Sequence, residues 1–367
     1  LRQPRSLVRQ HLQAAEGPMM TNLKMVPDEE RNVLSRDASV ELFLTPFNEL
    51  REDPAVTEIA VNDAGRVWYE KNSVWKSMAM EKVTESHIQR LGGAVATYSA
   101  QRWDRTAPLL STALPDGARI QLVHDPVVEA GRASFTLRKP SKHQKTLDQF
   151  AQEGLFERVR PVAHSLQEDE IKLQKLLHDG NVEQFLRMAV HTRKNIVVAG
   201  ATGSGKTTFM KGLAREIPLS ERLITIEDAR ELYLPHENVV NLLYSKGEQS
   251  TTKVGPKDLL QSCLRMKPDR ILLAEVRGDE CLYYVRNAAS GHPGSMTSCH
   301  AGTPALAFEQ MAIMIQDSPG GANLTFDVIK RLLVLTIDIV IQFQNHGGSR
   351  FISEIYYEPE KRLKASL

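Results

Sequence analysis

Residues 200–208 read GATGSGKTT and satisfy the spacing G-x-x-x-x-G-K-[ST]. The glycines at 200, 203 and 205 let the backbone wrap tightly, so that successive N–H groups point at a β-phosphate from a helix N-terminus. Lys206 brings positive charge to the β- and γ-phosphates, and the Thr207 hydroxyl is a ligand for Mg²⁺. With Thr202, Ser204 and Thr208 completing the loop, these residues specify a site for a nucleoside triphosphate with Mg²⁺. The loop alone leaves open what the nucleotide drives. Phosphate energy can unwind nucleic acid, phosphorylate a small molecule or move a protein machine.

Further candidates stand at the ends of short apolar runs. RLITIED ends in Glu227 and Asp228, RILLAEV carries Glu275 after the apolar residues 271–274, and GSMTSCHAG ends near His300. A triphosphatase needs one carboxylate to join Thr207 in holding Mg²⁺ directly or through water, and another to orient the attacking water. Glu275 has the setting of a Walker B acid. An acid at a strand end is commonly just solvated, and a lone histidine is more often structural than catalytic. These residues gain weight only together.

The elements that must position them follow from patterning. NIVVAG precedes the loop and the helical TTFMKGLAREI follows it, which is the strand–loop–helix context the motif requires. From residue 182 onward, helices alternate with the short strands NIVVAG, RLITIED, RILLAEV, GSMTSCHA, DIVIQF and FISEIYY, an α/β pattern with a mostly parallel sheet. Ligands bind such sheets at the carboxyl ends of the strands. Residues 30–139 read as a smaller α+β domain. There EIAVNDAGRVWYEKNSVWKSM makes two strands joined by a turn at Asn62–Gly65, TESHIQRLGGAVATYSAQ makes a helix, and RIQLVHDPV and ASFTLRKP make strands. Residues 140–181 are polar and read as a partly helical linker, and residues 1–29 as a disordered tail or an extension.

Taken in order, these motifs resemble the secretion traffic ATPases, and among them the hexameric ATPase of type IV secretion, the VirB-eleven class. The matching segments are the phosphate loop at 200–208, an Asp box ITIEDARELYL at 224–234, a Walker B segment LRMKPDRILLAEVRGDE at 264–280 and a His box GHPGSMTSCHAGTP at 291–304. DGARIQLVHDPV and ASFTLRKPS resemble the end of the family's N-terminal domain, where arginines reach the nucleotide phosphates. The resemblance thus assigns that role to Arg119 and Arg138. It implies a RecA-like P-loop ATPase domain with ATP between the two domains, Glu227 or Glu275 polarising water, and His300 sensing the γ-phosphate. One departure is Ala274, where the family usually has Gly before the Walker B acid.

The resemblance also implies a homohexamer, peripheral contact with the inner membrane from the cytoplasm, and partners among inner-membrane channel components and other secretion ATPases. Type II secretion ATPases usually carry a tetracysteine zinc module, whereas Cys263, Cys281 and Cys299 are dispersed, as in a protein of a reducing cytosol. The type II secretion or pilus motors remain one alternative, and a RecA-like nucleic-acid translocase another. A net charge of +1, from 46 basic and 45 acidic side chains in 367 residues, argues against direct nucleic-acid binding. The longest apolar run, near residues 332–341, is interrupted by Asp338 and far shorter than a membrane span.

Overall fold

The computed structural model describes residues 37–141, 145–162, 164–245 and 251–366; the expected tail at 1–29 lies outside them. One sheet holds β1 (Val56–Val61), β2 (Arg66–Lys71), β3 (Val74–Ala79), β4 (Leu109–Ala113), β5 (Arg119–His124) and β6 (Ala133–Arg138), in the order β3-β2-β1-β6-β5-β4. Every neighbouring pair in it is antiparallel. The stretch expected to form two strands forms three, because a second tight turn occurs at Asn72 and Ser73. Both residues have positive φ, 52° and 61°, the mirror-image turn whose twist suits a hairpin. Its common signature is Asn-Gly, and Ser in the second position conceals it. The helix Glu85–Tyr98 starts at Thr84, whose hydroxyl accepts from the His87 N–H at 3.2 Å. Its Ile88, Leu91 and Val95 form one apolar stripe that meets Phe47, Ile59 and Phe135 in the core.

The second sheet holds β7 (Ile196–Gly200), β8 (Leu223–Glu227), β9 (Val239–Leu243), β10 (Arg270–Leu273), β11 (Met296–Cys299), β12 (Ile339–His346) and β13 (Ser349–Tyr356). The order is β13-β12-β7-β11-β10-β8-β9. All neighbours run parallel except the closing β12–β13 hairpin. Strands β7, β8, β10 and β11 are buried at every position, which is why β7 and β10 read as apolar runs, whereas β8 and β11 also bury Thr225, Thr297 and Ser298. Edge strand β9 buries only alternate residues and escaped the sequence reading. Helices cover both faces in two separate apolar clusters. The expected α/β architecture, a mostly parallel sheet preceded by a smaller α+β unit, is what the chain forms. In the connecting stretch the helix Leu147–Gln152 buries nothing, whereas Glu168–His178 sends Leu173 into the core beside Phe185 and Leu186.

The two sheets meet along β9 and at the amino ends of β8 and β10. The Leu243 N–H donates to the Val127 carbonyl at 2.6 Å, and Val123, Val127 and Val128 join the cluster containing Ile224 and Ile271. This covers part of an edge that would otherwise present unpaired amides. Just before β8, Arg222 is fully buried. It donates to Asn62 Oδ1 at 2.8 Å, Asn238 Oδ1 at 2.5 Å, Thr136 Oγ1 at 3.2 Å and the Met266 carbonyl at 3.0 Å. Its guanidinium also lies over the Trp75 ring at 5.2 Å. Those acceptors and the aromatic face replace the water lost on burial. Arg222 thereby pins the first sheet to the second.

Candidate active site

Strands β7, β8, β10 and β11 direct their carboxyl ends to one edge, and a cavity of about 400 Å³ opens there. Thr202, Gly203, Ser204, Gly205, Lys206, Thr207 and Thr208 form one wall. Asp228, Glu231, Glu275, Arg277, Ser298, His300 and Arg350 supply the other polar side chains, with Ala229 and Ala274 between them. Gly205 precedes the helix Lys206–Ala214 at φ 102°, a conformation that favours glycine and lets the chain enter the helix directly from the loop. Gly200 is needed for space: a Cβ there would sit 2.8 Å from Ser204 Oγ and 2.9 Å from the Phe343 carbonyl of β12.

A continuous polar chain runs across the cavity floor. Lys206 Nζ donates to the carbonyls of Gly200 at 2.9 Å and Ala201 at 3.0 Å, and burial pulls its pKa below the ordinary lysine value. It also lies 3.5 Å from His300 Nδ1. An ammonium only donates, so His300 accepts through Nδ1 in this contact and turns Nε2 toward Glu275. That Nε2 is 2.5 Å from Glu275 Oε1, yet off the hydrogen-bond axis, so the buried oxygen has no aligned donor. Glu275 Oε2 accepts from Arg277 Nε at 2.6 Å. Burial pushes the Glu275 carboxyl above the usual glutamate range, while His300 and Lys206 pull it back. Arg277 Nη1 continues to Asp228 at 3.7 Å.

Glu227 corrects the sequence reading. It is fully buried and does not line the cavity. Its Oε1 accepts from Thr225 Oγ1 at 2.9 Å, and its Oε2 accepts from the N–H groups of Glu231 and Leu232, both at 2.8 Å. Successive residues point oppositely at the end of a strand, so Glu227 turns inward to tie down the turn that follows β8 while Asp228 faces the cavity. Asp228 is thus the member of the candidate pair that reaches the cavity, and Arg277, two residues past Glu275, joins it there. Arg350 reaches the cavity from the β12–β13 hairpin, and no local pattern marks it.

Arg119 and Arg138 are also placed differently from expectation. Neither lines the cavity, which is formed by residues of the second sheet and its loops. Arg138 instead binds Glu58, on the sheet face whose Glu70 meets Lys267 in the turn before β10. Lys267 and Glu275 stand at opposite ends of β10, whose four residues alone span about 10 Å. The arginines therefore lie toward the amino ends of the strands, away from their own chain's phosphate loop.

The residues present suit Mg²⁺. Thr207 lines the cavity with Glu275, whose Oε1 lacks an aligned donor. Among the described residues no cluster of three or more metal-ligating side chains occurs, and a Mg²⁺ ion completed by phosphate oxygens and water needs none.

A phosphate loop at the carboxyl edge of a parallel sheet defines the P-loop nucleoside triphosphatases. The chain belongs to the family described as type II/IV secretion system protein, which matches residues 44–341, and within it to the traffic ATPases of type IV secretion. It is 45% identical over 357 residues to the type IV secretion system protein VirB11 of Brucella suis biovar 1 (strain 1330), covering 95% of this chain and 98% of that protein. It is 41% identical over 330 residues to VirB11 of Bartonella quintana (strain Toulouse), with 87% and 93% covered. It is 37% identical over 327 residues to the type IV secretion system protein PtlH of Bordetella pertussis (strain Tohama I), with 88% and 96% covered. The crystal structure of the VirB11 ATPase from the Brucella suis type IV secretion system in complex with sulphate superposes with a TM-score of 0.87, covering 92% of this chain and 99% of that one.

Proposed function

We propose that this chain hydrolyses ATP as a homohexamer and thereby powers assembly of, or substrate transfer through, a type IV secretion system of the conjugation type. The observation that carries this reading is the single cavity in which the phosphate loop, Glu275, Arg277 and His300 converge. In this reading the protein works at the cytoplasmic face of the inner membrane, with channel components and other secretion ATPases as partners. The membrane contact in this reading is peripheral; no helix among the described residues is long and apolar enough to cross a bilayer.

The backbone amides of residues 203–208 bind the β- and γ-phosphates, and Lys206 exchanges its two carbonyl partners for phosphate oxygens. Thr207 and Glu275 would hold Mg²⁺, which when bound neutralises phosphate charge. Glu275, with one oxygen lacking an aligned donor, takes the role of orienting the attacking water. The water oxygen bonds to the γ-phosphorus as the bond to the β–γ bridging oxygen breaks, and the water's proton leaves through the carboxylate to solvent. His300, touching both Lys206 and Glu275, registers whether the γ-phosphate is present. Arg138 and Arg119 lie away from their own cavity, and in a ring they complete a neighbour's, stabilising transition-state charge as arginine fingers do. Loss of the γ-phosphate then loosens a contact between subunits, which turns chemistry into rigid-body movement.

A steady-state ATPase assay tests the reading. Lys206→Ala should abolish turnover and leave the melting temperature within a few degrees of the parent. Turnover at the parent rate would refute the site.

A further inference from the structure

Four charged residues stand directly opposite one another across the first sheet. Glu70 pairs with Glu58 between β2 and β1, Glu58 with Arg138 between β1 and β6, and Arg138 with Arg119 between β6 and β5. Opposed residues of antiparallel strands project to the same face, so these side chains form one row. The row grades from buried to exposed: Glu70 and Glu58 are buried, the Arg138 side chain is 42% exposed, and Arg119 is exposed.

Its buried end is neutralised from the second sheet. Lys267 Nζ donates to Glu70 Oε1 at 3.0 Å, and Thr57 Oγ1 donates to Glu70 Oε2 at 2.6 Å. Glu58, deeper and next to this like charge, has a single donor among the described residues, Arg138 Nε at 2.5 Å, and its Oε2 has none among them. Burial raises the Glu58 carboxyl above the ordinary range, and the Arg138 contact opposes that shift. The grip is on Nε. Among the described residues no group hydrogen-bonds the two terminal nitrogens of Arg138, which are the pair that forms a bidentate fork with phosphate oxygens.

We propose that Glu58 is the positioning residue for Arg138, holding the guanidinium by Nε so that Nη1 and Nη2 meet a neighbouring subunit's γ-phosphate as a preset fork. This rests on the reading that Arg138 reaches a nucleotide. A long arginine side chain loses conformational freedom when it docks, and a carboxylate that fixes it beforehand removes that loss from the transition state. Glu58 touches no substrate, so its effect passes wholly through Arg138 and falls on kcat rather than on KM.

The test uses the full-length chain in steady-state ATP hydrolysis, with thermal melting to monitor the fold. Arg138→Ala should lower kcat by about 100-fold or more. Glu58→Ala should lower kcat about 10- to 50-fold with KM within about threefold, the size of a lost charge-assisted hydrogen bond. Glu58→Gln keeps an acceptor for Nε and should lose about 3- to 10-fold; it carries the test if the alanine variant does not fold. The deciding background is Arg138→Lys, which keeps a charge but has no Nε to grip: there, either Glu58 change should leave kcat within twofold. Parent-like kcat in Arg138→Ala would overturn the reading of Arg138 itself. With Arg138 essential, parent-like kcat in both Glu58 variants, or an equal loss in the Arg138→Lys background, would overturn the positioning role and leave that reading intact.

Discussion

The position of Glu227 separates two roles that a sequence cannot tell apart. A carboxylate that polarises water should be dispensable for folding and indispensable for turnover; one that ties down a turn should be the reverse. Glu227 is fully buried and accepts the Glu231 and Leu232 N–H groups as well as the Thr225 hydroxyl. Glu227→Ala strands the buried Leu232 amide and leaves the part-buried Glu231 amide and the Thr225 hydroxyl without their acceptor, so a total loss of about 3 kcal/mol is expected. For a cooperative unit the size of the second domain, about 2–4 °C accompany each kcal/mol, which puts the fall in melting temperature near 10 °C. Glu227→Gln preserves shape: its amide oxygen accepts both N–H groups and its nitrogen faces Thr225 Oγ1. It should melt within about 4 °C of the parent and keep kcat within about threefold. Differential scanning calorimetry and an ATPase assay on both variants decide the matter. A glutamine variant that melts normally but loses 100-fold in kcat would refute the structural role and return Glu227 to the water.

Three further outcomes follow from the geometry. Arg222→Met removes the donor shared by Asn62, Asn238 and Thr136 and should cost at least about 3 kcal/mol, read by denaturant unfolding, with faster proteolytic cutting in residues 145–162 as the two sheets part. Gly200→Ala drives a methyl against Ser204 Oγ and the Phe343 carbonyl and should weaken binding of a fluorescent ATP analogue more than tenfold; parent-like affinity would show that the loop has room. In the kcat/KM–pH profile, which reports the free enzyme, Glu275 acts ionised and burial raises it, so the acid limb should lie above about 4.3; Lys206 acts charged and burial lowers it, so the alkaline limb should lie below about 10.4. Lys206→Arg, whose guanidinium does not titrate, should remove the alkaline limb from whatever activity remains.

Much of the second sheet was legible because its central strands are buried on both faces, so the runs around Ile196 and Ile271 are apolar and the one at Leu223 is broken only by Thr225 before Glu227, while β11 carries Thr297 and Ser298. The strands that went unread carry weaker signals. Edge strand β9 mixes buried and half-buried residues, and β3 hides behind an Asn-Ser turn that lacks the usual glycine.

The phosphate loop is different in kind: its chemistry lies in nine consecutive residues, and a local motif needs no tertiary partner to be recognised. Glu275 was also within reach, as the first acid after a buried run. What tertiary structure alone decided is direction and distance. Whether Glu227 or Asp228 faces the cavity depends on the inward or outward turn at one strand end, and the inward carboxylate is claimed by backbone amides four and five residues on. That Arg350 joins the site depends on a hairpin folding back over the loop from 145 residues later in the chain. That Arg138 faces Glu58 rather than its own chain's cavity depends on which end of β10 the first sheet packs against. Sequence spacing carries the composition of a site wherever its residues are local, but only the packing of sheet on sheet sets which of them share it.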